Sequence, residues 1–270
     1  MPIDIVFHTL NRYWNSNLGM IKLLWGYSED AIKYFENSLK ISRELGDRRG
    51  EGAGLKNLGL VYIDLSEPGK AIEYLKQALN ISRELGDRRG ESAGLVNLGN
   101  AYLYLIKPRK AVEYYEESLK ISRELGDRRI ESTDLGNFGN AYLYLNKPRK
   151  AIEYLKQALN ISRELGDRRG EGNHLGNLGL VYSYLGELRK AIEYYDESLK
   201  ISRELGDRRG EGIRLVNLGL AYSGLGEQGK AIEYLEKSLA IGKDTENSMI
   251  IQFCELHLFC ERNLKSVKNT

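Results

Sequence analysis

The phrase ISRELGDRRG occupies residues 41–50, 81–90, 161–170 and 201–210, and residues 121–130 differ from it only by Ile130 in place of the last glycine. Successive copies start 40 residues apart. A fixed period on this scale marks a protein built by stacking one supersecondary unit. Such a chain grows linearly, and each unit touches only its neighbours. The functional question therefore moves from a catalytic pocket to a long surface.

One period runs from Gly50 to Arg89 and holds two apolar stripes at helical spacing. Leu55, Leu58 and Tyr62 form the first, on helix A; Ala71, Leu75, Ala78, Ile81 and Leu85 form the second, on helix B. Pro68, Pro108 and Pro148 stand where helix B begins, a position that tolerates proline. Asn146, Gly186 and Gly226 precede them at the helix-end position, where a left-handed residue closes a helix. Ile106 fits that place poorly, so its turn is expected to close differently. Gly46-Asp47 and its copies end helix B and cap the next helix A. Turns this short make neighbouring helices antiparallel. Gly59 and its copies lie inside helix A, where glycine costs about 1 kcal/mol against alanine. Close approach to the unit's own helix B is the expected reason, with Ala71 and Ala78 meeting the glycine.

The spacing of Leu58-Gly59, Tyr62, Ala71 and Ala78 resembles the tetratricopeptide repeat. The longer period, with L-x-NLG-x-x-Y, KAIEY and ISRELGD, is similar to the 40-residue subgroup of Pins/LGN-type scaffolds and of bacterial and archaeal repeat proteins. The resemblance covers residues 11–243 and implies an all-α, right-handed α-solenoid of antiparallel helix pairs. A degenerate first unit or cap is expected over 1–46, five full repeats over 47–243, and a capping helix with its tail over 244–270. Trp14 and Trp25 occur only in the first unit. Residues 247–265 read as an amphipathic helix covering Ile232, Leu235 and Leu239. Phe259 falls in the register of Gly219 there, and a homodimer through Phe253 and Phe259 rivals a monomer.

Composition narrows the function. Forty basic and 38 acidic residues leave a net charge of +2, with no basic footprint for nucleic acid or anionic lipid. No window is long and apolar enough to span a membrane. The opening MPIDIVFHTLNRYWN lacks a basic start and a long apolar run, so a cytoplasmic location is expected. The only cysteines, Cys254 and Cys260, flank His257 at spacings of three. Their apolar neighbours favour packing over zinc, and neither metal nor cofactor is expected. His8, His174 and His257 belong to no recognisable catalytic set, so no enzyme is expected. Repeated Arg48-Arg49 pairs beside Asp47 and Glu51 read as an internally paired charge band.

On helix A, positions −4, +3 and +7 from Asn57 lie on one stripe. Asn57, Asn97, Asn137, Asn177 and Asn217 recur at its reference position. Asn100, Asn140, Tyr104, Tyr144 and Tyr184 fall on it, as do Leu60, Leu180 and Leu220. An amide both donates and accepts, so such a ladder suits the backbone of an extended peptide. In the resembling scaffolds, amides at these positions contact bound peptide. The alternative is that each asparagine bonds a neighbouring helix and fixes repeat packing. The stripe is nearly uncharged, with Thr133 and Asn137 where a clamp for carboxylate chain ends needs basic residues. The reading is a scaffold or adaptor that holds a peptide segment of another protein in a concave groove. Its rival is a peptide-sensing regulatory domain working with a separate output domain.

Overall fold

A computed structural model describes the backbone of residues 3–24 and 26–268 and the side chains of residues 8–23 and 26–262. Trp25 lies outside the described residues. Among those described, there are thirteen α-helices and no strand. The chain divides into two compact units, Met1–Ile130 and Glu131–Thr270.

The first unit holds α1 (Ile3–Leu24), α2 (Ser28–Glu44), α3 (Arg48–Asp64), α4 (Pro68–Glu84), α5 (Arg88–Tyr104) and α6 (Pro108–Glu124). They pair as α1/α2, α3/α4 and α5/α6, and α2 and α4 each pack on the next pair. The second unit begins within α7 (Arg128–Tyr144) and continues with α8 (Pro148–Glu164), α9 (Arg168–Tyr184), α10 (Leu188–Glu204), α11 (Arg208–Gly224), α12 (Gln228–Asp244) and α13 (Ser248–Lys268). Here α9/α10 and α11/α12 are pairs, and α13 covers α12. Both units are all-α stacks of helix pairs.

The helix ends are specified locally. Asp47 and Asp87 accept hydrogen bonds from the amides of Gly50 and Gly90, each at 2.9 Å. These bonds satisfy first-turn donors that have no partner within the helix. Helices α4, α6 and α8 carry proline in their first turn. The A helices close with one left-handed residue, which is glycine at 186 and 226, after α9 and α11. Ser66, Ile106 and Asn146 adopt the same conformation, with φ of 59°, 54° and 56°. The turn at Ile106 therefore closes as the others do, contrary to the expectation from sequence. Its backbone bonds repeat the pattern, Ile106 to Leu103 and Lys107 to Tyr102. The side chain stands in solvent, so the backbone strain is the whole cost of the residue.

In the first unit Ala31, Phe35 and Leu39 of α2 pack with Leu55, Leu58 and Val61 of α3 and with Ala78 and Ile81 of α4. Burying one such leucine contributes about 1.5–3 kcal/mol. Gly59 sits in helix A because a Cβ there would lie 2.6 Å from Leu75 Cγ. Helix A does approach its own helix B, but Leu75 and the Ala71 carbonyl meet the glycine, not Ala78. Tyr115 and Tyr195 take the place of Leu75 against Gly99 and Gly179.

A charged clasp recurs along one edge of each unit. Glu91, largely buried, accepts from Arg83 at 2.9 Å and from Arg88 at 2.6 Å. Arg88 also reaches Glu124 at 2.6 Å. The clasp thus ties α4, α5 and α6. Burial pushes the Glu91 carboxyl up, but bonds from the two arginines outweigh it and hold the group below its ordinary range. Arg163, Glu171, Arg168 and Glu204 repeat this arrangement in the second unit.

Candidate functional site

The asparagines at the reference position are half-buried on their A helices: Asn57 on α3, Asn97 on α5, Asn137 on α7, Asn177 on α9 and Asn217 on α11. Helices α3 and α5 lie side by side in the first unit, and so do α9 and α11 in the second. Each unit therefore brings its own asparagines to adjacent helices. The amide nitrogen of Asn137 is buried and has no hydrogen-bond partner among the described residues. Asn100 is engaged, its side-chain oxygen accepting from the Tyr115 hydroxyl at 2.7 Å. Asn140 is half-buried on α7.

The aromatic positions of the stripe are open to solvent. Tyr104, Tyr144 and Tyr184 are all more than half exposed, and Leu180 and Ile213 are also exposed. The Tyr184 hydroxyl donates to Asn146 at 2.8 Å. The other tyrosines have a different use. Tyr62 stacks on Tyr74 at 5.4 Å with Lys70 over the first ring, and Tyr182 with Tyr194 and Lys190 repeats this arrangement.

Several register positions vary between the repeats, and one of them changes chemical character most widely. It reads Gly54, Gly94, Asp134, His174 and Arg214 along the chain. In the second unit its side chains fill the space between successive A helices. His174 is buried against Gly136, where a Cβ would lie 2.6 Å from its ring. Its Nε2 is 3.1 Å from the Ser132 hydroxyl, which donates to the Ala158 carbonyl at 2.9 Å. Burial drives the His174 imidazole down to about 4, so it is neutral near pH 7. The guanidinium of Arg214 lies over Gly176, and its Nε donates to the Ser198 hydroxyl at 2.8 Å. Burial lowers this group as well. In the first unit Gly94 leaves the matching space open, as a cavity of about 400 Å³ among α3, α4 and α5. A second hollow of about 490 Å³ lies where Glu36, Lys40 and Arg43 of α2 face Tyr74 and Gln77 of α4.

At the C-terminal end Ile250, Cys254 and Leu258 pack on Leu235, with Val216, Ile232 and Leu239 around them. Cys254 is buried and Cys260 exposed, so the two thiols do not share a buried face. Phe259 and Leu256 are exposed, and Phe253 is partly so. Among the described residues no cluster of histidine, cysteine and carboxylate has the makings of a metal site. No described helix is long and apolar enough to cross a membrane.

The family model for the tetratricopeptide repeat matches residues 10–84, 90–164 and 170–244. No curated protein matches the sequence. Among solved structures, a signal transduction ATPase with numerous domains from Pyrococcus horikoshii, which carries a tetratricopeptide repeat sensor, is similar at 21% identity and a TM-score of 0.70. The match covers 94% of this chain and 39% of that one. A Rap protein complexed with Competence and Sporulation Factor is similar at 18% identity and a TM-score of 0.70, over 94% of this chain and 75% of that one. A kinesin light chain of Podosopora anserina with nearly identical repeats is similar at 20% identity and a TM-score of 0.58, over 75% of this chain and 99% of that one.

Proposed function

This chain belongs to the tetratricopeptide repeat family, and on that premise we propose that it is a non-catalytic, cytoplasmic scaffold or adaptor. Its partner is another protein, held by an extended segment along the A-helix stripe of each unit. The observation that carries this reading is the recurrence of a half-buried asparagine at one register position, five times along the chain. Exposed Tyr104, Tyr144 and Tyr184 lie two turns further along three of those helices. Amides satisfy a peptide backbone without selecting a charge, and the aromatic rings supply apolar contact. The unpartnered amide of Asn137 supports the reading, since a buried donor without an acceptor costs about 1–3 kcal/mol. Asn100 is the weakest member, because Tyr115 already holds it. In this reading 1–46 and 244–270 are the caps and 47–243 the recognition array. The chain acts as a monomer without nucleic acid or membrane.

A second reading treats the chain as a peptide sensor that works with a separate output domain. It draws on the sensor repeats of the similar ATPase and on the Rap protein complexed with its factor. The chain spans 39% of the former's length. Cross-linking in the native lysate, followed by mapping of the joined segments, identifies the ligand for either reading. Replacing Asn137, Asn177 and Asn217 of the second unit together with alanine is then expected to weaken that segment's binding about a hundredfold, at roughly 1 kcal/mol or more per amide. The melting temperature should hold, because alanine is a good helix former. Lost stability with intact affinity assigns the asparagines to repeat packing and overturns the site.

A further inference from the structure

The half-open pocket among α3, α4 and α5 has no assigned role and a volume of about 400 Å³. Volumes of this order take small molecules. Its floor is apolar, built from Leu75, Ala78 and Ile81 of α4. Two cations line it, Arg49 and Lys56 of α3, both exposed. Neither belongs to the Arg–Glu clasps: the neighbouring Arg48 is the residue engaged with Glu51 and Glu84. The one carboxylate on the wall, Asp87, is occupied as the cap of α5 through the Gly90 amide at 2.9 Å. The lining therefore carries one net positive charge beside an apolar bed.

The second unit supplies an internal control. There the same space is occupied by the protein, with His174 over Gly136 and Arg214 over Gly176. Each pair sets one long side chain on one glycine. In the first unit the pair is inverted: Lys56 stands in the glycine register and Gly94 in the long one. The lysine is exposed, and the space stays open.

We propose that this cavity binds a small organic carboxylate with an apolar body, its chain against Leu75, Ala78 and Ile81 and its carboxylate between Lys56 and Arg49. A single excess positive charge matches a monoanion and not a doubly charged phosphate. The inference does not rest on the partner reading, because the ligand is a free small molecule and the measurement needs no protein partner.

The test is calorimetric titration of the full chain with 4-phenylbutyrate, 4-phenylbutyramide and phenyl phosphate. The carboxylate is expected to bind once per chain with a dissociation constant below about 1 mM, and the amide and phosphate at least about tenfold more weakly. Lys56→Ala should weaken 4-phenylbutyrate about fivefold or more. The double change Gly94→His with Lys56→Gly installs the second unit's arrangement and should abolish binding while the helical signal and melting temperature hold. Gly94→Met is the alternative filled variant if the double change does not fold. Equal affinity for acid and amide, preference for phenyl phosphate, undiminished binding by a filled variant, or no saturable binding up to about 10 mM each overturn the proposal.

Discussion

The interface of α3 and α4 with α5 and that of α7 and α8 with α9 are built from almost the same sequence, yet one is hollow and the other filled. Both use the Asp-capped start of helix A, the mid-helix glycine against helix B and the same apolar positions, with Phe138 in place of Leu58. They differ where Gly94 and Lys56 line an open pocket in the first and His174 packs on Gly136 in the second. The lesson is that the frame and the filling are separable. Leucine, glycine and aspartate at fixed places make the helix pair, and two positions per repeat decide what occupies the space between pairs.

Acid should separate the two interfaces most strongly. In the folded chain the His174 imidazole is depressed to about 4 from an ordinary 6.5. The unfolded chain thus binds the extra proton first, and stability falls as pH drops from about 6.5 towards about 4. A shift of that size amounts to about 3 kcal/mol. Denaturant titrations at several pH values should show this loss in the wild type and its absence in His174→Gln. Depressed glutamates such as Glu91 and Glu171 act in both proteins, at or below their ordinary 4.5. If the two proteins follow one curve, burial of His174 is not the difference between the interfaces.

The shared frame predicts a smaller, equal response in the two units. A Cβ at Gly179 would lie 2.5 Å from the Tyr195 ring, and Gly99 faces Tyr115 in the same way. Gly99→Ala and Gly179→Ala should each destabilise by about 1–3 kcal/mol, the usual range for overpacking a tight core. Unequal losses in thermal unfolding break the claim that the frame is common to both.

The smallest effect has the opposite sign. A Cβ at Gly94 would sit 3.4 Å from Leu79, in ordinary contact. Gly94→Ala should therefore stabilise the chain by about 0.5–1 kcal/mol through helix propensity alone. The same comparison cannot be made at 174 or 214, where alanine removes a packed side chain. Destabilisation by Gly94→Ala would mean that the hollow interface is tighter than its geometry.

The frame was legible in the sequence because each of its parts is local. Pro68 starts a helix, Asp47 caps one, and Gly186 ends one, each by rules that span a few residues. Ile106 was misjudged because an unfavourable backbone state is imposed by the helices on either side, not chosen by the residue. The filling was missed for a geometric reason. Reading in a register of 40 aligns His174 with Asp134, but the ring rests on Gly136, 38 residues away. Residues two apart point to nearly opposite sides of a helix, so one faces the preceding A helix and the other the following one, and contacts between repeats join different registers. The signal was present all the same, as the one column that runs through glycine, aspartate, histidine and arginine. The asparagine column was visible for the opposite reason, since it never changes.

The Arg–Glu clasps bear on how the chain comes into being. Arg88 and Glu124 join the two helices of one pair, but Arg83, at the end of the pair made before it, finds Glu91 only when that next pair arrives. A helix pair leaving the ribosome thus carries an open cationic end until its successor is translated. Nearest-neighbour coupling of this kind makes assembly vectorial, each newly made pair locking the one before it. Pulled from its ends, such an array should yield pair by pair from a terminus.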